Sequence, residues 1–383
     1  MRKKVYSLVL LGTFTAGGLI AGLSMLECSL HYLEAKAPAA RVQSHADWPS
    51  LVHLARERAW LYEQAIERDH LSQGMVVNRS IRGKIEGACD SLMFSSLRTV
   101  ALFKLGQDVE ADRAWSHIAQ KAYDKRRWVR HPDCKWQASS RDMIVGLMAA
   151  LSQEPVGFAD SFVRLLNVIE RTGGSIDDGP FYVSRVSPGM AEILKNMAIA
   201  QGYREEQLPT VIRMGFVTLE FDTLVVTPGY RAHLNALMLW IELELIQRHP
   251  ELEMRSLSGL LDGINSDWGS TFTARRRAFA AEQLFKLDPK NIFFEYLYLR
   301  TAGILTRTAK AELLQRLLAM PQFPEGRLPN DCDRPADYLW QRRSTEYERV
   351  KACRTVAIFH GVDFLWMVAL LTEPESPQRG RGN

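Results

Sequence analysis

The sequence lacks the short motifs that mark the most widespread nucleotide-dependent and metal-dependent enzymes. It has no Walker A loop, no G-x-G-x-x-G, no H-E-x-x-H, no G-x-S-x-G and no EF-hand loop. These absences argue against nucleotide hydrolysis, zincin proteolysis and α/β-hydrolase chemistry. No spacing of His, Cys, Asp or Glu selects a metal either, so the sequence predicts neither a metal site nor a cofactor.

A strong excess of one charge is also missing. The chain has 48 Lys and Arg against 44 Asp and Glu, a formal net charge of +4, and part of it comes from residues 2–4. Nucleic-acid surfaces are usually far more basic, so we predict no nucleic-acid partner. With 46% hydrophobic and 24% charged residues, the composition is that of an ordinary globular protein with a sizeable core.

Residues 5–26 contain neither a charge nor a proline. As a helix, this segment would be about 33 Å long, enough to cross a hydrocarbon core of ~30 Å. The basic residues 2–4 precede it, and the positive-inside rule then keeps residues 1–4 cytoplasmic. The sequence therefore predicts a single-pass anchor in a bacterial-type inner membrane, followed by a tether over residues 27–46 and a periplasmic domain.

The alternative to an anchor is a cleaved signal peptide, whose apolar region is normally shorter and followed at once by a small-residue cleavage site. The nearest such triplet, Ala35-Lys36-Ala37, lies well beyond the apolar segment and precedes Pro38. A lipoprotein signal is disfavoured because Glu27 stands directly before Cys28. The uncleaved anchor is the preferred interpretation.

Four of the five cysteines, Cys89, Cys134, Cys332 and Cys353, lie beyond the tether, and none is spaced C-x-x-C. An even number of cysteines in an oxidising compartment indicates disulfides, and four cysteines allow three connectivities. The alternative is four buried reduced thiols. We predict at least one disulfide among the four and leave its pairing open.

Hydrophobic periodicity predicts an all-α domain of about twelve helices over residues 47–372, followed by a disordered tail at 373–383. Strand-like patterns are confined to residues 214–226 and, more weakly, 180–186. No long linker or change in composition divides residues 47–372, so we predict a single domain.

Several helix boundaries follow from cap residues. Gly106 is placed to end a helix, and Ser187-Pro188, Thr227-Pro228 and Asp288-Pro289 each place a capping side chain before a proline at the first helical position. The apolar segment 356–371 is too short and too polar to span a membrane, and it predicts a central helix of the domain.

Two kinds of helix are predicted, which together suggest two layers. Residues 108–122 and 308–319 are amphipathic and suit an outer layer. Three other segments are apolar on nearly every side and suit an inner layer: Ile144–Leu151, Leu234–Leu245 and Ile358–Leu371.

Two helix starts carry a family resemblance. Cys89-Asp90-Ser91 and Ser139-Ser140-Arg141-Asp142 each place polar residues directly before an apolar helix. Together with about twelve helices in two layers, this pattern resembles the (α/α)6 toroid shared by several families of carbohydrate-active enzymes. In those families, polar residues at inner-helix starts line a central cleft, and the resemblance implies the same here. It covers a few short segments and selects no single family.

An irregular tetratricopeptide-like array is the alternative architecture. Residues 101–107 and 284–291 each resemble pieces of that repeat. They are far apart, however, and no 34-residue period links them. The toroid-like arrangement is therefore preferred.

Glycoside cleavage needs two carboxyl groups across a cleft, one protonated and one ionised. The candidates are Asp90, Asp142 and Asp178, with Asp178 as the acid. Predicted substrate contacts are Arg141, Tyr182, Arg231 and His233.

Each candidate also has a purely structural interpretation. Asp142 nearly completes a capping box with Ser139, Asp178 lies in an Asp-Asp-Gly turn, and His233 suits a buried histidine of an apolar helix. The function prediction therefore has two branches. A non-catalytic helical module that binds an envelope protein or glycan is slightly favoured, and the alternative is a glycan hydrolase or lyase of the toroid type.

Overall fold

The computed structural model describes residues 47–80, 83–86, 88–153, 159–178, 184–213, 230–252, 266–319, 357–358 and 360–373. These residues are mostly helical, as predicted. They form twelve α-helices: α1 Trp48–Asp69, α2 Ser91–Lys104, α3 Asp108–Lys121, α4 Arg141–Leu151, α5 Ala159–Arg171, α6 Pro188–Ala200, α7 Thr210–Arg213, α8 Tyr230–Arg248, α9 Ser266–Leu287, α10 Ile292–Thr301, α11 Arg307–Leu318 and α12 Val362–Thr372.

The described strands are very short and lie mainly between α1 and α2. Strands β1 (Leu71–Ser72) and β2 (Met75–Val76) form an antiparallel hairpin. Strand β3 (Asn78–Ser80) pairs antiparallel with both β4 (Ile85–Glu86) and β5 (Ala357–Ile358). The second sheet thus ties the segment before α2 to the segment before α12.

Cap chemistry explains several helix ends where the sequence predicted them. Gly106 has a φ of 77°, and the amide of Gln107 donates to the carbonyl of Leu102, which closes α2 in the manner of a Schellman motif. Ser187 accepts a hydrogen bond from the Met190 amide, with Pro188 as the first residue of α6. Both boundaries are confirmed.

Two predicted boundaries are wrong. The helix predicted for residues 356–371 begins at Val362, because Ala357 and Ile358 instead pair with β3. Asp288 accepts from the Lys290 amide in a turn, and α10 begins at Ile292 with Asn291 as its cap. The strand-like segment 214–226 and the Thr227-Pro228 start lie outside the described residues.

Burial separates the helices into two kinds. Helix α4 is buried from Met143 to Leu151 and α12 from Val362 to Thr372, so both are enclosed on all sides. In contrast, α3 buries one stripe and exposes the rest of its surface. The sequence predicted this difference from the apolar and amphipathic patterns.

The enclosed helices pack closely. A Cβ atom added to Gly146 of α4 would lie 2.6 Å from the Cα atom of Met93 in α2. Two carbon atoms that are not bonded to each other cannot lie that close, so glycine is required where these two helices meet.

Five of the even-numbered helices meet at their C-terminal ends. Lys104, the last residue of α2, binds Glu244 of α8 at 2.8 Å and Glu373, just after α12, at 2.8 Å. Arg300 of α10 binds the same Glu244 at 2.6 Å. Arg248, the last residue of α8, donates to the carbonyl of Ser152, which follows α4.

The starts of these helices meet at the opposite end. The rings of Phe94 in α2 and His360 before α12 lie 4.3 Å apart, and His233 of α8 lies 5.2 Å from Phe294 of α10. Arg141, the first residue of α4, donates to the carbonyl of Arg185, three residues before α6. Helices α2, α4, α8, α10 and α12 therefore run in the same direction.

Aromatic side chains fill the space between three of these parallel helices. Trp366 of α12 lies edge-on to Trp240 of α8, with ring centroids 4.5 Å apart, and 6.2 Å from Phe293 of α10. All three rings are fully buried. At this level the interior is a packed apolar core.

At the C-terminal ends of the parallel helices, each buried charge stabilises the charged form of its oppositely charged partner. Burial raises the pKa of Glu244, but the charges of Arg300 and Lys104 outweigh it and hold this pKa below its ordinary value. Burial lowers the pKa of Lys104, and Glu244 with Glu373 reverses the shift. Both groups are therefore charged inside the protein at neutral pH, each compensated by the other.

Among the described residues, no helix combines the length and apolar character that a membrane crossing requires. The segment 5–26, on which the anchor prediction rests, lies outside the described residues.

We expect Glu244→Gln to destabilise the protein at pH 7 by about 3 kcal/mol, because it leaves Lys104 and Arg300 without their shared carboxylate. The folded-state pKa of Glu244 is lowered, so its contribution is present above the unfolded value of ~4.3 and is lost as pH falls through the folded value. Urea unfolding of the full chain at several pH values measures this.

The variant should therefore approach the wild type in stability on acidification, below about pH 4. Glu206→Gln, at an exposed position, is the control and should leave the free energy of unfolding unchanged at every pH. A constant difference between Glu244→Gln and wild type from pH 7 to pH 3 would contradict the assignment.

Candidate functional site

The starts of the even-numbered helices carry the longer described connections and almost all the predicted site residues. A disulfide between Cys89 and Cys134 joins two of these connections, with Cα atoms 5.6 Å apart. Cys89 lies just before α2, and Cys134 lies in the connection between α3 and α4. The predicted disulfide is thus present, while Cys332 and Cys353 lie outside the described residues.

A buried ion pair connects the loop before α4 to the loop before α6. Arg127 donates to Asp177 at 2.9 Å, and the Asp177 side chain is 1% exposed. Asp177 also accepts from the amide of Ser139, whose hydroxyl donates to the carbonyl of Trp128. Arg127 further donates to the carbonyl of Lys135. These contacts bind two connections into one rigid unit.

His131 anchors the same unit to the β1–β2 hairpin. Its ring is fully buried, with Nε2 3.2 Å from the carbonyl oxygen of Ser72 and Nδ1 accepting from the amide of Asp133. Gln73 donates to the Asp133 carboxylate at 2.8 Å. Both ring nitrogens are therefore engaged in holding the loop, which fits a structural role for His131.

Asp90 is paired with an arginine and does not cap its own helix. Its carboxylate lies 3.3 Å from Nη1 of Arg130, and no side-chain cap is formed at the start of α2. Arg130 also donates to the carbonyls of Cys89 and Ala138. Arg130 thus links the segment before α2 to the segment before α4.

Asp178 is shared by two arginines. Nη2 of Arg126 lies 3.2 Å from its carboxylate, and Nη2 of Arg171 lies 3.1 Å away. Arg171 donates to the carbonyl of Arg126 as well. Asp178 therefore joins the end of α5 to the loop before α4 through two arginines.

Arg141 and Asp142 begin α4. Arg141 is exposed and donates to the Arg185 carbonyl at 3.0 Å, and Asp142 is half-buried in the first turn of the helix. Ser140, not Ser139, precedes α4, and it makes no side-chain cap. The capping box considered for Ser139 and Asp142 is therefore not formed.

The remaining predicted contacts lie on α8 or outside the described residues. His233 is buried against Phe294, and Arg231 is exposed near the start of α8. Tyr182 lies outside the described residues. The described candidates thus share one end of the parallel helices, but Asp90 and Asp178 are held by separate arginines and not by each other.

The sequence interpretation did not single out a basic surface at this end. We call it the basic face: Lys125, Arg126, Lys135, Arg141, Arg171 and Arg185, all exposed, with Trp136, which is 60% exposed. The visible signal was the run Lys125-Arg126-Arg127 and the adjacent pair Lys135-Trp136, but no periodic pattern links them. Contacts between the loops link these residues. Arg126 and Arg171 share Asp178, Arg127 donates to the Lys135 carbonyl, and Arg141 donates to the Arg185 carbonyl.

Backbone strain occurs in the same region. Lys125 has a φ of 73° and Gln73 a φ of 53°, values that side chains other than glycine seldom adopt. Such residues persist where surrounding contacts over-determine them, and they concentrate at functional sites. Here the loop contacts fix Lys125 in the basic face and Gln73 beside Asp133.

The basic face can bind anions. Arginine presents up to five N–H donors and suits carboxylate, sulfate and phosphate groups, and an exposed indole adds a flat apolar surface. Metal chemistry has no support in the described part of the chain, where no group of three or more His, Cys, Asp or Glu side chains is suitably placed.

Comparison with protein families matches no family model to this chain, and comparison with curated proteins finds no match either.

Two neighbouring aspartates provide a test of the site's framework. We expect Asp177→Asn to lower the free energy of unfolding by about 3 kcal/mol, because it leaves the buried Arg127 uncompensated. Asp178→Asn should cost less than about 1 kcal/mol, because its ion pairs lie at the surface. Urea unfolding measures both, and equal effects would show that the Arg127–Asp177 pair does not support the loops.

Proposed function

We propose that this protein is a non-catalytic helical module that binds an envelope partner through the basic face. The observation that carries the proposal is that exposed cations and Trp136 lie on loops that the disulfide and the Arg127–Asp177 pair hold in place. Trp and Arg are enriched among residues that dominate binding energies. A surface held rigid before binding loses less entropy when it binds.

The ion pairs that the carboxylates form support binding over catalysis. Asp90 and Asp178 both lie in ion pairs with arginine, and Asp177 is buried in another. Glycoside cleavage requires two carboxyl groups that face each other across a cleft. Here the three carboxylates contact arginines, and these contacts position cations on the loops.

The disulfide supports an extracytoplasmic location for the module. Disulfides form and persist in the periplasm and outside the cell, and they are rare in the cytoplasm of mesophiles. This agrees with the predicted anchor over residues 5–26 and the predicted periplasmic domain. Under this proposal the anchor keeps the module at the inner membrane, where an envelope protein or glycan is within reach.

Photo-crosslinking in cells tests the proposal. A photoreactive phenylalanine analogue replaces Trp136 in the full chain, and irradiation should give an adduct of higher mass with an envelope component. The matched control carries the analogue at Trp60, a 51% exposed tryptophan on α1. Detection is by immunoblot of membrane fractions.

An adduct at position 136 and none at position 60 is the expected result. Equal labelling at both positions, or none at 136 with stable folded protein, would overturn the binding-module proposal.

A second candidate, a glycan hydrolase or lyase of the (α/α)6-toroid type, is favoured by the helix arrangement. Five even-numbered helices run in the same direction, and α6 begins beside the start of α4. An inner layer of parallel helices, with polar residues at their starts, is what the toroid resemblance implies. Asp90, Asp142 and Asp178 all lie at that end.

The two candidates differ in a direct activity measurement. If the protein cleaves glycan, the purified full chain should release products from isolated envelope polysaccharide, detected by mass spectrometry. Asp178→Asn should then abolish release while preserving the fold, since asparagine keeps the shape and loses the proton donor. Arg307→Gln, at an exposed position on α11, is the control. Release by wild type and control but not by Asp178→Asn would replace the module with an enzyme.

A further inference from the structure

We propose that the basic face binds an acidic polysaccharide, with Arg126 and Arg171 contacting its anionic groups and Trp136 stacking on a sugar ring. This inference rests on the proposed binding function and names the chemical class of the partner. The anionic group is a carboxylate, sulfate or phosphate on a sugar chain.

The two arginines retain donors for a ligand. In their contacts with described residues, Arg126 and Arg171 each use Nη2 alone. Their Nε and Nη1 groups therefore remain available to a further acceptor. Because two guanidinium groups share the single Asp178 carboxylate, the trio keeps one positive charge, which a second carboxylate would balance.

Trp136 is presented on a fixed backbone. Arg127 donates to the carbonyl of the preceding Lys135, and Cys134 is held by the disulfide. The amide of Gln137 donates to the Cys134 carbonyl, which closes the turn around Trp136. The indole thus projects from a turn that is tied on both sides, so little ordering is required on binding.

The composition of the face fits a hydrated, charged chain better than a protein surface. Trp136 is the one large apolar side chain exposed in the described residues of the connections 122–140 and 172–187. Protein interfaces usually have an apolar centre that is depleted in lysine. Here the described loops of the face combine six exposed cations with a single exposed aromatic ring.

The face also fits nucleic acid less well. Single-stranded nucleic acid is typically bound by several aromatic rings in series, on which successive bases stack. One exposed indole provides a single platform in the described residues of this face. The predicted periplasmic location, too, favours an envelope polysaccharide over nucleic acid.

One exposed acid interrupts the cations. Asp133 has a 59% exposed side chain and accepts a hydrogen bond from Gln73. Together, Asp133 and Asp178 offset two of the six exposed charges, and the face stays positive. The ligand's anionic groups should therefore lie toward Arg126, Arg171 and Lys125.

The experiment measures binding of the full chain, purified in detergent, to three probes. Polygalacturonate carries carboxylates on sugar rings, dextran is an uncharged polysaccharide, and a thymidine oligonucleotide is a polyanion with bases. Thermophoresis gives the affinity at several salt concentrations. We expect binding to polygalacturonate that weakens with salt, and at least tenfold weaker binding to the other two probes.

Three variants locate the site. Arg126→Gln with Arg171→Gln, and Trp136→Ala, should each weaken polygalacturonate binding at least tenfold. Lys125→Gln with Lys135→Gln should also weaken it and does not disturb the Asp178 ion pairs, so it serves if the arginine variant is unstable. Arg307→Gln and Trp60→Ala, exposed residues of the same types on α11 and α1, should bind like wild type.

The outcomes separate this inference from the function on which it rests. Equal binding of dextran, preference for the oligonucleotide, or unchanged affinity in all three face variants would overturn the polysaccharide assignment. If the crosslink at position 136 is nevertheless formed, and protease digestion of the adduct shows a protein partner, the binding module stands and the ligand class is wrong. If no crosslink forms, the binding module itself fails.

Discussion

The buried pair between Arg127 and Asp177 is the interaction on which the loop end of the molecule depends. Fifty residues separate its partners, and it joins the connection before α4 to the connection before α6. Removing two charges from water is unfavourable unless their remaining hydrogen bonds are satisfied. Ser139 and the Lys135 carbonyl satisfy them, so the pair fixes a backbone that has little regular structure of its own.

The two ends of the parallel helices use charge in opposite ways. At their C-terminal ends, Lys104, Glu244 and Arg300 are buried or nearly so, and their charges cancel once the half-buried Glu373 is included. At the helix starts, Asp177 is buried while Arg126 and Arg171 share one acid at the surface. The first arrangement closes the interior, whereas the second leaves positive charge facing solvent. The binding surface that we propose therefore lies at the end where the helices start.

Two local signals in the sequence predicted helix ends correctly, whereas the Asp288-Pro289 signal did not. Gly106 ended α2 and Ser187 capped α6 because such signals act within a few residues. Long-range contacts were beyond reach: Ala357 and Ile358 form a strand through pairing with β3, which overrides an apolar pattern that suits a helix. The basic face was missed for the same reason, since its members come together through contacts between separate loops. Tyr182 and the proposed toroid stay predictions.

An aspartate at a helix start is an ambiguous signal, and the arginines around it resolve the ambiguity. Asp90, Asp142 and Asp178 were grouped because each stands at a boundary where clefts open. Yet Asp90 faces Arg130, and Asp178 faces two arginines, so both acids are engaged in local ion pairs. Each pair fixes a guanidinium group at the surface and uses part of its hydrogen-bonding capacity. The acids that suggested catalysis thereby organise the cations, and our proposal of an anionic ligand follows from the positive charge that remains.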